Sequence, residues 1–267
     1  MIRSRHNSRL RDLRRLRRDR RWRESRSEAL LEGPHLIEAA LEAGLAPTAT
    51  FATAAFLEAA PAIVERLPAP PFEVDESLLD ELADADSPRG IVATVPLRTA
   101  RLDDWIASAD RDAHRDRPVI AIDRLQDPGN LGALARVAEA AGAMLLALAP
   151  GTVDWRHPRA LRASTGSLLR LPVVESMTLP ALRCALSTLD PVWLGLSPRG
   201  GVSLWEPNAL PLRRVVLVVG SESEGLSAEA EATIDGTVTI PMAPPVESIN
   251  VTAAAAVVLF ELARRRA

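Results

Sequence analysis

The run Val215-Val216-Leu217-Val218-Val219, closed by Gly220, constrains this chain more than any other stretch. Five consecutive apolar, mostly β-branched residues read as a strand buried on both faces. The polar turn Ser221-Glu222-Ser223-Glu224-Gly225 follows, and Ser227 is placed to cap a helix beginning near Ala228. In an open parallel sheet, the loop leaving the carboxyl end of such a strand is where small ligands bind. The same pattern also describes an ordinary strand-to-helix connection, so the neighbouring segments must decide.

Those segments repeat the strand–loop–helix unit. Pro118–Ile122 reads as a buried strand running into the turn-rich Asp123-Arg124-Leu125-Gln126-Asp127-Pro128-Gly129-Asn130. Asn130 is placed as the N-cap of a helix from Leu131 to Ala141, closed by Gly142, with Arg136 in its second turn. Strands over Met144–Leu148, Pro172–Val174 and Val192–Leu196 alternate with helices over Pro158–Leu169 and Leu179–Ser187. A strand at Thr237–Ile240, a loop from Pro241 to Ile249 and an apolar helix from Asn250 to Arg265 complete the series. Alternation of this kind implies an α/β fold, a parallel sheet with helices on both faces. The last helix is apolar nearly all round, so it is expected to be buried against a partner element.

The front of the chain has a different character. Residues 8–23 place Leu10, Leu13 and Leu16 three apart on an otherwise arginine-covered helix, a narrow stripe that can dock while guanidinium groups face phosphates. A solvated charged face is the plainer alternative. Short strands at Ala29–Gly33, Thr48–Ala52 and Gly90–Val95 alternate with helices at His35–Ala43, Leu57–Glu65 and Glu76–Ala83, about the content of a small α/β domain. The expected division is therefore a domain over 1–107, a polar linker over 108–117, and a second domain over 118–267.

Charge is unevenly spread. All 32 basic residues are arginine, and 12 of them fall in residues 1–26 against only Asp12, Asp19 and Glu24. The net charge of −3 thus combines +9 at the amino end with −12 elsewhere. The single cysteine, Cys184, leaves no internal disulfide to form, which fits a reducing cytoplasm. No apolar run reaches the roughly 18 residues of a membrane span, so no membrane partner is expected.

Three segments stand in order on strand–loop–helix units: Asn130-x-Gly132-x3-Arg136, Gly220-x-Glu222-x2-Gly225-Leu226, and Ile240-Pro241-Met242 followed by Glu247-Ser248-Ile249-Asn250. Together they resemble the three motifs of the SpoU-type (SPOUT superfamily) RNA ribose 2′-O-methyltransferases, from about residue 118 to the end. The arginine-rich helix and the Leu31-Glu32-Gly33 turn look like that family's L30e-like RNA-binding domain, and Arg159–Pro172 resembles its strip between motifs one and two. Two positions depart from the pattern, Pro244 and Ser223, where glycine is usual.

The resemblance implies a deep trefoil knot in the carboxy-terminal domain, a homodimer formed through it, and S-adenosylmethionine as methyl donor, with no metal. It assigns cofactor contacts to Leu196, Gly220, Ile240 and Ile249, and catalytic roles to Arg136, Asn130, Glu222, Ser248 and Asn250. Arg9, Arg14, Arg17 and Arg18 are the expected RNA contacts, the substrate being a structured ribosomal or transfer RNA. Because a guanidinium keeps its proton, Arg136 suits binding the adjacent phosphate and stabilising developing negative charge better than removing a proton outright. A protein that keeps the fold but has weak or no turnover, acting in RNA binding or ribosome assembly, is the alternative.

Overall fold

In the computed structural model, residues 1–82, 89–109 and 116–266 are described. Helix α1 (Ser8–Arg18) is capped by Asn7, whose side chain accepts from the amide of Arg9. The expected single helix over 8–23 is interrupted at Asp19, which leaves helical geometry and caps α2 (Arg20–Arg26) by accepting from the amide of Trp22. A short acidic side chain competes with the helix for backbone donors, and here it wins. Strand β1 (Glu28–Glu32), helix α3 (Pro34–Glu42) and strand β2 (Ala49–Ala52) follow. The expected helix over 57–65 is two short ones, α4 (Ala54–Ala59) and α5 (Pro61–Arg66), because Pro61 lacks an amide and pushes Ala60 out of helical geometry. Strand β3 (Phe72–Glu73), helix α6 (Glu76–Asp80) and strand β4 (Ile91–Pro96) close this part. The expected end of the α6 segment, Ala83, lies outside the described residues.

From there the chain runs through α7 (Leu102–Ala109), β5 (Val119–Ile122), α8 (Pro128–Ala140), β6 (Leu145–Leu148), α9 (Pro158–Ser164), α10 (Ser167–Arg170) and β7 (Val173–Glu175). It continues through α11 (Leu179–Ala185), β8 (Val192–Leu196), β9 (Val202–Ser203), β10 (Val215–Val219), α12 (Ala228–Thr233), β11 (Gly236–Thr239) and α13 (Val251–Arg264). The helix expected over 158–169 is broken where Thr165 and Gly166 take positive φ, 50° and 91°. Most of the linker expected over 108–117 falls on residues outside those described.

The chain packs as two compact units. One comprises Met1–Arg98 with Asp154–Arg170, the other Thr99–Val153 with Leu171–Ala267. This division differs from the expected one at two places. Helix α7 belongs with the second unit because Leu102 and Trp105 are buried in the cluster that holds Val119, Leu145 and Val216. Residues 154–170 belong with the first, where Asp154 accepts from the buried Arg23 guanidinium at 2.6 Å and Glu32 from Arg162 at 2.6 Å.

The first unit has a mixed four-stranded sheet, β1-β4-β2-β3, antiparallel except for the β2–β3 pair. Leu10, Leu13 and Leu16 are all buried, in one cluster with Leu30, Phe51, Val74 and Leu79, so the predicted leucine stripe does dock. The second unit has a seven-stranded sheet, β7-β6-β5-β10-β8-β11-β9, in which every pairing is parallel. All five residues of β10 are buried, as the opening run requires. Val216 and Val218 join the cluster containing Leu179, Leu182 and Ala230 from α11 and α12. Their alternates Val215, Leu217 and Val219 point to the other face. Helices α8 and α13 pack against each other. Helix α13 is buried through Ala255, Val258, Leu259 and Leu262, as expected of a helix packed on a partner element, whereas its Val257 and Phe260 are exposed. No described helix is long and apolar enough to cross a membrane.

Candidate active site

Three loops at the carboxyl ends of β5, β10 and β11 converge, because these strands are parallel and β10 lies directly beside β5. The loop after β5 enters α8 earlier than expected. Asp127, not Asn130, is the N-cap, accepting from the amide of Asn130 at 2.8 Å, and Pro128 takes the first helical position. Proline suits that position because its missing amide would be unsatisfied there anyway. The earlier start of α8 has a chemical consequence: it frees the Asn130 side chain for work outside the helix.

After β10 the backbone makes a tight turn, Ser221 and Gly225 exchanging both amide–carbonyl bonds at 2.9 and 3.0 Å. A Cβ on Gly220 would lie 2.2 Å from the Gly225 carbonyl oxygen, so only glycine allows this closure. Ser227 caps α12 as expected, accepting from the amide of Ala230. The turn delivers Glu222 to the mouth of α8. Its carboxylate accepts from Asn130 Nδ2 at 2.9 Å and from the amides of Gln126 and Asp127 at 3.4 Å each.

After β11 the loop over 240–249 leads to Asn250, which caps α13 by accepting from the amides of Thr252 and Ala253 at 2.9 and 3.3 Å. Asn250 Nδ2 in turn donates to Asn130 Oδ1 at 3.1 Å, and the Thr252 hydroxyl donates to the Asn130 carbonyl at 3.3 Å. One residue from each of the three segments is therefore joined in a single chain of bonds, Glu222–Asn130–Asn250.

That chain borders a cavity of about 850 Å³. Leu196, Gly220, Ile240 and Ile249 all line it, as do Glu222, Ser248 and Asn250. Three aliphatic side chains and one bare backbone position line it together with carboxylate, hydroxyl, amide and guanidinium groups, so it offers both apolar surface and polar contacts to a small molecule. Sequence reasoning missed Arg199, Met242 and Glu247, which also line it. The pair Arg199–Glu247, 2.7 Å apart, had no sequence signal because its members lie 48 residues apart in two loops.

Arg136 does not join this network. It is exposed and makes no hydrogen bond or ion pair among the described residues. Six residues beyond Asn130 on one helix corresponds to a rotation of about 240°, which turns it to a different face. The expected RNA contacts are also unequally placed. Arg14 donates to the Arg5 carbonyl at 2.7 Å and lies 3.5 Å from Glu81, and Arg17 donates to the Glu81 carbonyl at 2.9 Å. Arg9 lies over the Phe72 ring at 4.3 Å, and Arg18 is exposed without a partner among the described residues.

Residues 117–260 match the SpoU rRNA Methylase family, and residues 7–93 match the MRM3-like substrate binding domain. A protein of Synechocystis named as an uncharacterized tRNA/rRNA methyltransferase is 35% identical over 247 residues, covering 91% of this chain and 86% of that protein. A Mycolicibacterium smegmatis protein of the same description is 35% identical over 202 residues. The match spans 73% of this chain and 62% of that longer relative. Among solved structures, the SpoU methyltransferase AviRb from Streptomyces viridochromogenes, in complex with AdoMet, superimposes with a TM-score of 0.84 at 26% identity. It covers 97% of this chain and 99% of its own. A structure described as an RNA 2′-O ribose methyltransferase superimposes with a TM-score of 0.79 at 31% identity, covering 98% and 97%. The match to the family extends over more than half of the residues and includes all three convergent loops, and the chain belongs to the SpoU family of RNA methyltransferases.

Proposed function

We propose that this protein transfers a methyl group from S-adenosylmethionine to a ribose 2′-hydroxyl of a structured ribosomal or transfer RNA. The observation that carries the reading is the Glu222–Asn130–Asn250 chain at the edge of the 850 Å³ cavity. The residues present fit the methyl donor: Leu196, Ile240 and Ile249 offer aliphatic surface for an adenine ring, and Gly220 lets backbone approach closely. When bound, S-adenosylmethionine supplies a methyl group on a sulfonium whose leaving thioether needs no proton.

The protein's own task is then to hold the 2′-hydroxyl in line, to let its proton pass to solvent as the oxygen attacks, and to accommodate the charge that develops on it. Glu222 fixes the amide of Asn130, and Asn250 fixes its carbonyl, so the chain presents polar atoms at set positions to a ribose. Ser248, on the same rim, adds a hydroxyl. Arg136 binds the adjacent phosphate and stabilises negative charge on the attacking oxygen. Its orientation away from Asn130 is accommodated by a homodimer, in which one copy of α8 presents Arg136 to the cavity of the other. Exposed Val257 and Phe260 on α13, with Val246 and Ile249 in the loop before it, supply apolar surface for that pairing.

The reading carries a knotted carboxy-terminal chain, an L30e-like amino-terminal RNA-binding domain and a cytoplasmic setting. The strand order supports the knot: the chain passes from β10 over β8 to β11, then returns so that α13 packs on α8. RNA is held through the phosphate backbone by arginines of the amino-terminal helices that have no partner among the described residues.

The test is calorimetry with S-adenosylmethionine, followed by transfer of labelled methyl to bulk RNA and alkaline hydrolysis. A 2′-O-methyl group blocks cleavage of the adjacent phosphodiester, so label recovered in alkali-resistant dinucleotides supports the reading. Label on mononucleotides would move the methyl to a base. Cofactor and RNA binding without transfer would favour a binding or assembly role.

A further inference from the structure

We infer that Arg199 and Glu247 form the subsite for the amino-acid end of the methyl donor, the ligand carboxylate taking Arg199 and its ammonium taking Glu247. The inference rests on the proposed use of the cavity; it adds Arg199, which lies outside the three motif segments, and gives a role to Glu247, which stands in the third without one.

Arg199 Nη2 lies 2.7 Å from Glu247 Oε2, and both side chains are largely exposed, at 73% and 77%. They come from different loops, that following β8 and that following β11, and both line the 850 Å³ cavity. The pair therefore bridges the two loops across the cavity. Its charges are those of an α-amino acid with the partners exchanged: one cation beside one carboxylate. Such a ligand can replace both halves of the bond at once, leaving neither charge unpaired. An exposed ion pair contributes little to stability, so opening it costs little.

The surroundings leave these two groups free for the exchange. Arg199 is the single basic residue among the described residues that line the cavity. Of the other carboxylates there, Glu222 is bound to Asn130 and Glu224 lies 3.1 Å from Arg124. Glu231, on α12, makes no side-chain bond or ion pair among the described residues but has no cation beside it to pair with a ligand carboxylate. Glu247 has Arg199 as its ion-pair partner. The Arg199 backbone, in contrast, is fixed. The Ser197 hydroxyl donates to its carbonyl at 2.7 Å, and the Thr239 hydroxyl donates to the Ser197 carbonyl at 3.0 Å. Gly201, at φ 91°, passes so close to Thr237 that a Cβ would lie 2.1 Å from its hydroxyl oxygen. A side chain that can swing on an anchored backbone is suited to change partners.

The experiment uses the full chain and titrates S-adenosylmethionine, S-adenosylhomocysteine and 5′-methylthioadenosine by calorimetry. The last keeps the nucleoside and thioether but has no amino-acid end. Arg199→Ala is expected to weaken S-adenosylhomocysteine at least tenfold and 5′-methylthioadenosine less than twofold, with Arg199→Lys recovering part of the loss. Glu247→Gln is expected to weaken S-adenosylhomocysteine several-fold and to leave 5′-methylthioadenosine unchanged. Equal losses for both ligands would overturn the proposal, since the residues would then only shape the loops. Unchanged S-adenosylhomocysteine affinity in Arg199→Ala, or unchanged or tighter affinity in Glu247→Gln, would also overturn it. A wild-type protein that binds none of the three would overturn the methyl-donor reading itself, an outcome distinct from the others.

Discussion

Glu222 and Asn130, 92 residues apart, are joined by a 2.9 Å hydrogen bond that fixes the polarity of the whole site. At neutral pH a carboxylate only accepts, so it selects the amide nitrogen of Asn130. The Asn130 oxygen must then face Asn250, whose nitrogen donates, while the Asn250 oxygen receives the first amides of α13. Reversing either amide would set like groups against each other. Asn130→Asp places a second carboxylate against Glu222 and removes the donor. Loss of a hydrogen bond to a charged group costs about 1.5–3 kcal/mol, so a rate loss on the order of ten- to a hundredfold is expected. Single-turnover methylation measures it, and a rate within twofold of wild type would show that the polarity is not used in the reaction.

Arg136→Ala is expected to remove transfer while leaving S-adenosylmethionine affinity within a few-fold. Its side chain has no partner among the described residues and does not line the cavity, so its loss disturbs neither the bond chain nor the cofactor slot. Parallel calorimetry and methyl transfer separate the two effects. A near wild-type rate would assign the charge-stabilising role elsewhere.

The turn chemistry of the three loops was legible because each loop carries residues with few alternatives. Gly220 is required by a carbonyl 2.2 Å from its would-be Cβ, and Ser227 and Asn250 cap the helices that follow. Asn130 was misread for a related reason. Asp127 and Asn130 are both good caps, and Pro128 between them decides the start of α8 in favour of the earlier one. The contacts from Glu222 to Asn130 and from Arg199 to Glu247 were not legible, because no local pattern reports which loops meet. Strands β3 and β9, two residues each, are too short to show periodicity.

Glu261 makes the carboxyl end of α13 sensitive to acid. Hydrogen bonds from Arg264 and Arg265 hold its carboxyl at about 2, below the ordinary 4.5. Arg265 also donates to the carbonyls of Pro207 and Leu210, tying the helix end to the segment before β10. A depressed carboxyl stabilises the folded state above its unfolded pKa, and that contribution is lost as pH falls from 4.5 toward 2. Thermal unfolding of wild type and Glu261→Gln should therefore differ at pH 6 and converge near pH 2. An equal gap at both values would mean that the carboxylate's charge plays no part.

The amino-terminal arginines divide into two sets, and the division predicts which of them hold RNA. Arg14 and Arg17 are committed to Arg5 and Glu81. Arg11, Arg18 and Arg21 are exposed and make no bond or ion pair among the described residues. Arg11 and Arg18, seven residues apart, share one face of α1, and Arg15 between them lies over the Trp22 ring at 3.7 Å. A row of unpaired guanidinium groups beside an aromatic ring suits a phosphate backbone, which is held by charge rather than by sequence. Deleting the helix would not test this, because Leu10, Leu13 and Leu16 belong to the core and Arg23 is buried against Asp154. Substitution keeps the fold. The triple change of Arg11, Arg18 and Arg21 to Gln is expected to flatten the slope of log K against log salt by roughly two units, at about 0.7–0.9 per phosphate contact. Arg14→Gln with Arg17→Gln should leave the slope unchanged and lower thermal stability instead. Salt titrations of RNA binding by the three folded proteins decide between the sets, and a slope that falls only in the Arg14 and Arg17 variant would reverse the assignment.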